Sequence, residues 1–188
     1  MAHLYNEETI SKEINTKWAG KTVHFARETD STNLWGKRAW REEGAGHGEL
    51  FVAEYQSAGR GRFTRRWSAP PDSAITMSIL ICPEFSPQKA PMLTLVMGLS
   101  VAQAVAEIGL DVGIKWPNDV VVSRKKICGI LTEMTMKQDK IGCAVIGVGI
   151  NVNMESFPEE MADKATSLYL ESGHPFDRAQ VVGLVMKH

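Results

Sequence analysis

One segment of the chain concentrates side chains that bind anions. QSAGRGRFTRRW (residues 56–67) contains four arginines and two glycines and has no apolar periodicity, so it is predicted to be a loop. Glycines let backbone N–H groups approach a ligand and form an anion-binding concavity. Arg60 and Arg62 alternate there and can present paired donors to phosphate or carboxylate oxygens. A solvated basic loop or an RNA-binding segment has the same composition, so the segment alone leaves three interpretations open.

A second candidate is a lysine close to the end of a predicted strand. KWPND (115–119) follows the apolar segment DVGI, and Pro117 ends strand pairing because it has no N–H donor. Lys115, beside Trp116, is therefore placed where an anionic partner can reach it. A turn with a solvent-exposed lysine explains the same residues, and on its own this is the simpler interpretation.

Two further segments carry small polar groups. TDSTN (29–33) offers hydroxyls and exposed N–H groups at a predicted helix start, with Asp30 or Ser31 as the N-cap. GVGINVN (147–153) ends a strand with glycines and asparagines, which suits contact with a purine and ribose but also an ordinary turn. Neither segment identifies a function alone.

Hydrophobic periodicity predicts the elements that position these segments. The predicted helices are 6–18, a helix from the TDSTN cap to about Glu43, 91–108, 158–164 and 177–187. The predicted strands are 21–27, 49–55, 74–81, 112–116, 127–135 and 141–150, with a hairpin at 137–140. Strands with helices interspersed, but without regular β-α-β alternation, predict an α+β fold. We expect a mixed, largely antiparallel sheet with helices packed on one side, in a single domain spanning 1–188.

Composition narrows the function classes. The net charge of −1 gives no global attraction to nucleic acid. The three cysteines are far apart and lie in apolar stretches, and the five histidines have no metal-ligand spacing, so neither a disulfide nor a structural metal is expected. No run of apolar residues approaches the length of a membrane helix and no signal peptide is recognised, which predicts a cytoplasmic protein without membrane association.

In combination, the segments are specific. TDSTN, EYQSAGRGR…RRW, KWPNDV, KICGILTE and GVGINVN, in this order, resemble the biotin protein ligase family over about residues 4–186. The resemblance implies a class II synthetase-like biotin/lipoate ligase fold. It also implies that biotin is activated with ATP and Mg²⁺ to biotinyl-AMP and passed to a lysine of a biotin carboxyl carrier protein, part of acetyl-CoA carboxylase or a related carboxylase. Members often dimerise by sheet extension, so by analogy a homodimer is considered.

The resemblance also implies roles for individual residues. Those implied to bind biotin are Ser31, Thr32, Asn33, Gln56, Arg60, Gly61, Arg62, Lys115, Gly129 and Ile130. Those implied to bind ATP are Arg60, Arg62, Trp67, Lys115, Asn118 and Asn151. Catalysis is assigned to Lys115, Arg60 and Arg62. Asp119 is added as a hypothesis, because it is suited to orient the acceptor amine or to take its proton. Asn118 and Asp119 lie near the nucleotide and magnesium in the family, but no metal ligands are assigned.

The sequence departs from the family pattern in three ways. Thr64 stands where the loop usually has glycine, and a β-branched residue does not freely adopt a positive φ. The winged-helix domain of some members has no counterpart, so DNA binding is not expected. The β-barrel domain that usually follows the catalytic core has none either, so the chain is interpreted as truncated or unusually short.

Two other functions are kept as alternatives: a protein that binds biotin or its adenylate without turnover, and a lipoate–protein ligase. The second shares the fold and chemistry but has a different glycine-rich signature. RNA binding by the arginine loop is disfavoured by the near-neutral charge.

Overall fold

Seven strands form one open sheet in the computed structural model, which describes residues 4–188. The strands are β1 (Val23–Thr29), β2 (Leu50–Gln56), β3 (Ala74–Ile81), β4 (Val112–Lys115), β5 (Asp119–Val122), β6 (Lys125–Lys137) and β7 (Lys140–Asn151). The helices are α1 (Glu7–Glu13), α2 (Thr32–Arg38), α3 (Pro91–Glu107), α4 (Glu159–Ala162), α5 (Leu168–Ser172) and α6 (Arg178–Lys187). A π-helical turn (Ala39–Glu43) extends α2, and a 3-10 turn (Pro87–Lys89) precedes α3.

The order of strands across the sheet is β1-β2-β3-β7-β6-β5-β4. The β1–β2 pair is parallel and the other five pairs are antiparallel. Strands β6 and β7 form the longest pair and are joined by a tight turn at Gln138–Asp139, within the predicted hairpin. The expected α+β class, with a mixed and largely antiparallel sheet, is confirmed.

Helices α1, α3 and α6 cover one face of the sheet. The strands supply alternate side chains to the core on this face, including Ile75 and Met77 from β3 and Ile146, Val148 and Ile150 from β7. Because side chains of a strand alternate between the two faces, the residues between them point the other way. This packed face holds most of the buried apolar surface.

Helix α3 has an inner and an outer side of similar hydrophobicity. By length and hydropathy the segment Pro87–Glu107 would pass as a membrane span, but 44% of it is buried and Val101 is fully enclosed, so it is a core helix. Val96 lies on the outer side of the helix and is 60% exposed, beside Met92 and Leu99. The strip that touches the sheet is narrower than the apolar periodicity suggested.

Helix α2 packs on the opposite face, so the expectation of helices on one side holds for α1, α3 and α6 but not for α2. The apolar side chains that require this second cover are Phe51, Leu80 and Val145, and Trp35 of α2 meets Phe51 edge-on with ring centroids 5.2 Å apart. Without α2 these side chains would face water. The continuous apolar run of β2 is typical of a strand that is buried on both faces.

Local signals explain where the predicted elements ended or were missed. The helix predicted over 6–18 is capped by Asn6 but stops at Glu13, because Ile14 is extended. Strand β5 was not predicted, since its four residues DVVV directly follow a turn and show no alternation of their own. Helix α5 was also missed; Ser167 caps it by accepting a hydrogen bond from the Leu170 N–H.

Candidate functional site

A large cleft lies on the sheet face that α2 leaves partly uncovered. It has a volume of about 1260 Å³ and is bounded by the loop that follows β2, the β4–β5 turn and the segment 154–165. Its floor is formed by the central strands β6 and β7. All fourteen residues singled out in the sequence line this cleft: Ser31, Thr32, Asn33, Gln56, Arg60, Gly61, Arg62, Trp67, Lys115, Asn118, Asp119, Gly129, Ile130 and Asn151.

Glycines make the floor of the cleft flat. Gly129 of β6 and Gly149 of β7 are register partners, and Gly147 lies two residues earlier on β7. A Cβ at Gly147 would overlap the Asn33 amide, and one at Gly149 would overlap the Trp67 indole. A side chain at either position would therefore fill space that the cleft needs. The segment GVGINVN was predicted to be a strand end, and its first five residues are the last five of β7.

At one end of the cleft, the start of α2 forms a buried polar pocket. Ser31, Thr32 and Asn33 are each no more than 3% exposed. Gln56 at the end of β2 fixes the helix start, since its Oε1 accepts hydrogen bonds from the Thr32 backbone N–H (2.8 Å) and hydroxyl (3.1 Å). The Ser31 side chain makes no capping hydrogen bond, so its hydroxyl remains available to a ligand.

Two residues that the sequence interpretation did not single out complete this pocket. The Ser78 hydroxyl lies 2.7 Å from both Thr32 Oγ1 and Asn33 Oδ1, and the Asn33 amide donates to Glu133 Oε2 at 2.9 Å and to the Leu131 carbonyl at 3.1 Å. The Asn33 oxygen and nitrogen both have partners, so its orientation is fixed. Burial opposes ionisation of Glu133, but hydrogen bonds from Asn33 and Lys37 outweigh it and lower the pKa of the carboxyl.

The arginine loop folds over the cleft as a short irregular hairpin. The backbone N–H of Trp67 donates to the Gly59 carbonyl (3.1 Å), and the backbone N–H of Gly61 donates to the Arg65 carbonyl (2.8 Å). Only glycine fits at position 59, because a Cβ there would strike the Trp67 carbonyl. These contacts close the hairpin at its base and leave its arginine side chains free to reach into the cleft.

The tip of this loop is conformationally strained. Phe63 and Thr64 have φ values of 53° and 63°, in the left-handed region that favours glycine. Thr64 therefore adopts the very conformation that its β-branched side chain resists. The departure noted in the sequence has a structural cost here, but it does not prevent the loop from forming.

Cations dominate the electrostatics of the cleft. Eight line it: Arg60, Arg62, Arg65, Arg66, Lys115, Arg124, Lys126 and Lys164. Of the residues 4–188 that line the cleft, Asp119 is the one carboxylate, and it pairs with Lys126 at 2.7 Å. Lys115 ends β4 and is exposed, and its Nζ has no hydrogen-bond or ion-pair partner within the described chain. The cleft is therefore suited to a polyanion.

Two of the arginines are held by residues of β6 and of the β4–β5 turn. Arg62 donates to Asn118 Oδ1 at 2.8 Å, which joins the loop to the β4–β5 turn, and Arg60 lies 3.2 Å from Glu133 Oε1. Arg60, Arg62 and Lys115 thus meet around one cavity, as the sequence predicted. No local pattern predicted the Asn118 contact, since it joins residues 56 positions apart.

The far end of the cleft combines an aromatic ring with amides. The Trp67 indole lies over Gly149, and Lys126 Nζ is 5.9 Å from the centroid of the indole. The indole Nε1–H is buried and has no hydrogen-bond partner in the described part of the chain. Asn151 is buried and donates to the Thr166 carbonyl at 3.0 Å. A planar aromatic ligand fits such surroundings. The cleft as a whole suits a ligand with a polar ring, an anionic middle and an aromatic base.

Comparison with known proteins gives a consistent family. The model of the biotin/lipoate A/B protein ligase family matches residues 25–151. The bifunctional ligase/repressor BirA of Bacillus spizizenii is 45% identical over 73% of this chain, which spans 43% of that protein. The biotin–[acetyl-CoA-carboxylase] ligase of Paracoccus denitrificans is 31% identical, with 84% of this chain and 67% of that protein covered. The structure is similar to that of the Aquifex aeolicus biotin protein ligase in complex with biotin and ATP, with a TM-score of 0.74, 38% identity, and coverage of 89% of this chain and 68% of that one.

Proposed function

Because the chain belongs to the biotin/lipoate A/B protein ligase family, we propose that it activates biotin with ATP to biotinyl-AMP. It then transfers the biotinyl group to a lysine of a biotin carboxyl carrier protein. The observation that carries the proposal is the meeting of Arg60, Arg62 and Lys115 around one glycine-floored cleft with a buried polar pocket at its end. The chain spans 43% of the length of the two Bacillus BirA proteins that it matches, so activity and partners of the whole protein are part of this proposal.

Biotin is assigned to the polar pocket and the adjoining strand. The ureido ring offers donors and an acceptor that complement the hydroxyls of Ser31 and Thr32 and the amide of Asn33, with Gln56 fixing the helix start. Gly129 and Ile130 of β6 line the path of the valeryl chain towards the arginine loop. A carboxylate at the end of that chain then lies among the cations.

The first step is favoured by charge neutralisation and positioning. A carboxylate must approach the α-phosphate of ATP, and two unit charges about 4 Å apart at an effective dielectric near 20 repel by roughly 4 kcal/mol. Arg60, Arg62 and Lys115 offset this repulsion and stabilise charge on the phosphoryl oxygens in the transition state. Positioning and electrostatics then suffice without an enzyme nucleophile.

The nucleotide base and ribose are assigned to the far end of the cleft. The indole of Trp67 and the amides of Asn118 and Asn151 line it, and stacking of a base on an indole is favourable. Magnesium takes most of its ligands from phosphate and water and needs few protein carboxylates. This fits a cleft in which Asp119 is the one carboxylate among the described lining residues. When bound with ATP, the ion would neutralise phosphate charge, near Asn118 and Asp119.

The second step is the attack of a neutral lysine amine on the acyl carbon, with AMP as the leaving group. Asp119 is assigned to orient that amine or accept its proton, which requires that its pairing with Lys126 relax. The loop over the cleft protects the mixed anhydride from water until the carrier arrives. Cytoplasmic location, a homodimer and the absence of DNA binding stay predictions.

The proposal is tested by incubating the protein with ATP, Mg²⁺ and biotin, with lipoate in parallel, and analysing the products by mass spectrometry. We expect biotinyl-AMP with biotin and little adenylate with lipoate. A predominant lipoyl-AMP signal would instead assign a lipoate ligase. Tight biotin binding without any adenylate would assign a binding protein. Addition of a biotin carboxyl carrier domain then tests transfer, through the mass of its modified lysine.

A further inference from the structure

One carboxylate outside the predicted site residues connects both halves of the cleft. The two oxygens of Glu133 serve different groups: Oε2 accepts from the Asn33 amide at 2.9 Å, and Oε1 lies 3.0 Å from Lys37 Nζ and 3.2 Å from an Arg60 guanidinium nitrogen. Asn33 belongs to the polar pocket and Arg60 to the loop above the cleft. Glu133 itself lies on β6 with 16% of its side chain exposed, so its position is set by the sheet.

The two cations next to Glu133, Lys37 and Arg60, differ in burial and in their distance from the carboxylate. Lys37 is 17% exposed and pairs closely, which neutralises the carboxylate. Arg60 is 44% exposed and makes one longer contact, so it keeps most of its donors and its net charge for a ligand. The group as a whole carries one surplus positive charge. Glu133 therefore holds Arg60 in place without cancelling its attraction for an anion.

We propose that Glu133 is a positioning residue for the activation step, which rests on the proposed function. Oε2 fixes the orientation of Asn33 for the biotin ring, and Oε1 holds Arg60 over the place where the biotin carboxylate arrives. One rigid side chain thereby sets the distance between the ring contact and the carboxylate contact. Ordering the loop before the ligand binds reduces the entropy lost on binding.

The first test needs no ligand, because the loop contains trypsin sites. We expect Glu133→Gln, which keeps the shape but loses the charge, to be cleaved several times faster after Arg65 and Arg66 than the parent, when both proteins are digested well below their melting temperatures. Glu8→Gln removes an exposed carboxylate on α1 and serves as the matched control, with parent-like cleavage. Lys37→Met leaves Glu133 charged and should not speed cleavage.

Two outcomes of this test overturn the proposal. In the first, the loop of Glu133→Gln is cleaved at the parental rate, which means that Glu133 does not hold Arg60. In the second, Lys37→Met loosens the loop as much as Glu133→Gln does, which means that general disturbance of the cluster is responsible. Neither result depends on whether the protein has ligase activity, so a failure of the proposed function is recognised separately by the absence of biotinyl-AMP from the parent.

The second test uses the kinetics of adenylation. We expect Glu133→Gln to raise the biotin KM about tenfold, because an ordered side chain and loop are lost, and to lower kcat several-fold, because Arg60 remains present but is less well placed. In an Arg60→Ala background the same substitution should add much less, since the two residues act through one contact. A fall in kcat at constant KM, or full additivity with Arg60→Ala, would contradict the positioning role.

Discussion

The two faces of the central sheet are made from the same strands, but one face packs the core and the other forms the cleft. On the face covered by α1, α3 and α6, β7 contributes Ile146, Val148 and Ile150, which are all buried. On the other face the same strand contributes Gly147 and Gly149, and the space above them is the cleft. One strand therefore anchors the core through every second residue and forms the floor of a binding site through the residues between.

This division separates stability from function. On the packed face, side chains are apolar and enclosed, so their removal costs free energy of unfolding. On the open face, charges are gathered without full compensation, so their removal costs little stability but weakens the attraction for an anion. Substitutions on the two faces should accordingly affect different measurements, and the following predictions test that separation.

The largest effect is expected for Lys115, whose ammonium has no partner among residues 4–188. Lys115→Ala should lower ATP–pyrophosphate exchange by about 10²- to 10³-fold, as expected for loss of a group that stabilises transition-state charge. Its free energy of unfolding should stay within about 0.5 kcal/mol of the parent, since Lys115 is exposed and unpaired. Exchange at the parental rate would refute the assignment, and a large loss of stability would refute the separation of the faces.

The converse substitution lies on the packed face. Ile75 is fully buried in β3, and Ile75→Ala should reduce the free energy of unfolding by about 2–5 kcal/mol through lost burial and a cavity. Adenylation measured well below the melting temperature should remain near the parental rate. Urea denaturation followed by circular dichroism measures the first quantity. If activity falls in the folded variant, the core and the cleft are coupled more closely than proposed.

The same chemical change can be made on both faces with opposite results. A methyl group at Gly149 meets the Trp67 indole, so Gly149→Ala should displace the loop and raise the ATP KM about tenfold, for a clash of roughly 1–3 kcal/mol. Gly98 lies within α3, where a new Cβ would be 3.7 Å from Ile130. Gly98→Ala should therefore raise stability by about 0.5–1 kcal/mol without affecting KM.

The smallest effect concerns backbone strain above the open face. Thr64→Gly removes a β-branched residue from φ 63° and should raise stability by a few tenths to about 1 kcal/mol. Gly44→Ala makes the opposite change at φ 76° in open space, and should cost about 1 kcal/mol. Thermal denaturation measures both. An unaltered or lower melting temperature for Thr64→Gly would show that the loop tip stores no strain.

The sequence predicted the fold because it depends on strong local signals, whereas the grouping of the cleft residues was implied by the family resemblance of five motifs in one order. Alternation in β3, the apolar run in β2 and the motif glycines are visible over a few residues. Strand β5 and helix α5 are too short to show a period, so they were missed. The covering of a second sheet face by α2 was also missed, since it depends on how strands combine.

The polar residues that support the site were harder to recognise. Ser78 lies in an apolar strand and Glu133 ends the segment KICGILTE, and neither has a sequence neighbour that shares its role. Their partners, Asn33 and Arg60, lie 45 and 73 positions away, so these contacts exist only after the strands have paired. The available sequence signal was the pair of hydroxyls Thr76 and Ser78 within the otherwise apolar ITMSIL. It indicated that one face of β3 presents polar side chains.

The indole of Trp67 rests on the strip of β7 at Gly149 that carries no side chain. Two planar groups cannot occupy the same volume, so a ring that comes to lie on this strip must first move the indole aside. A base can therefore stack on the indole only after this shift, and in a variant that keeps Trp67 as its one tryptophan the indole emission would report the arrival and departure of the nucleotide.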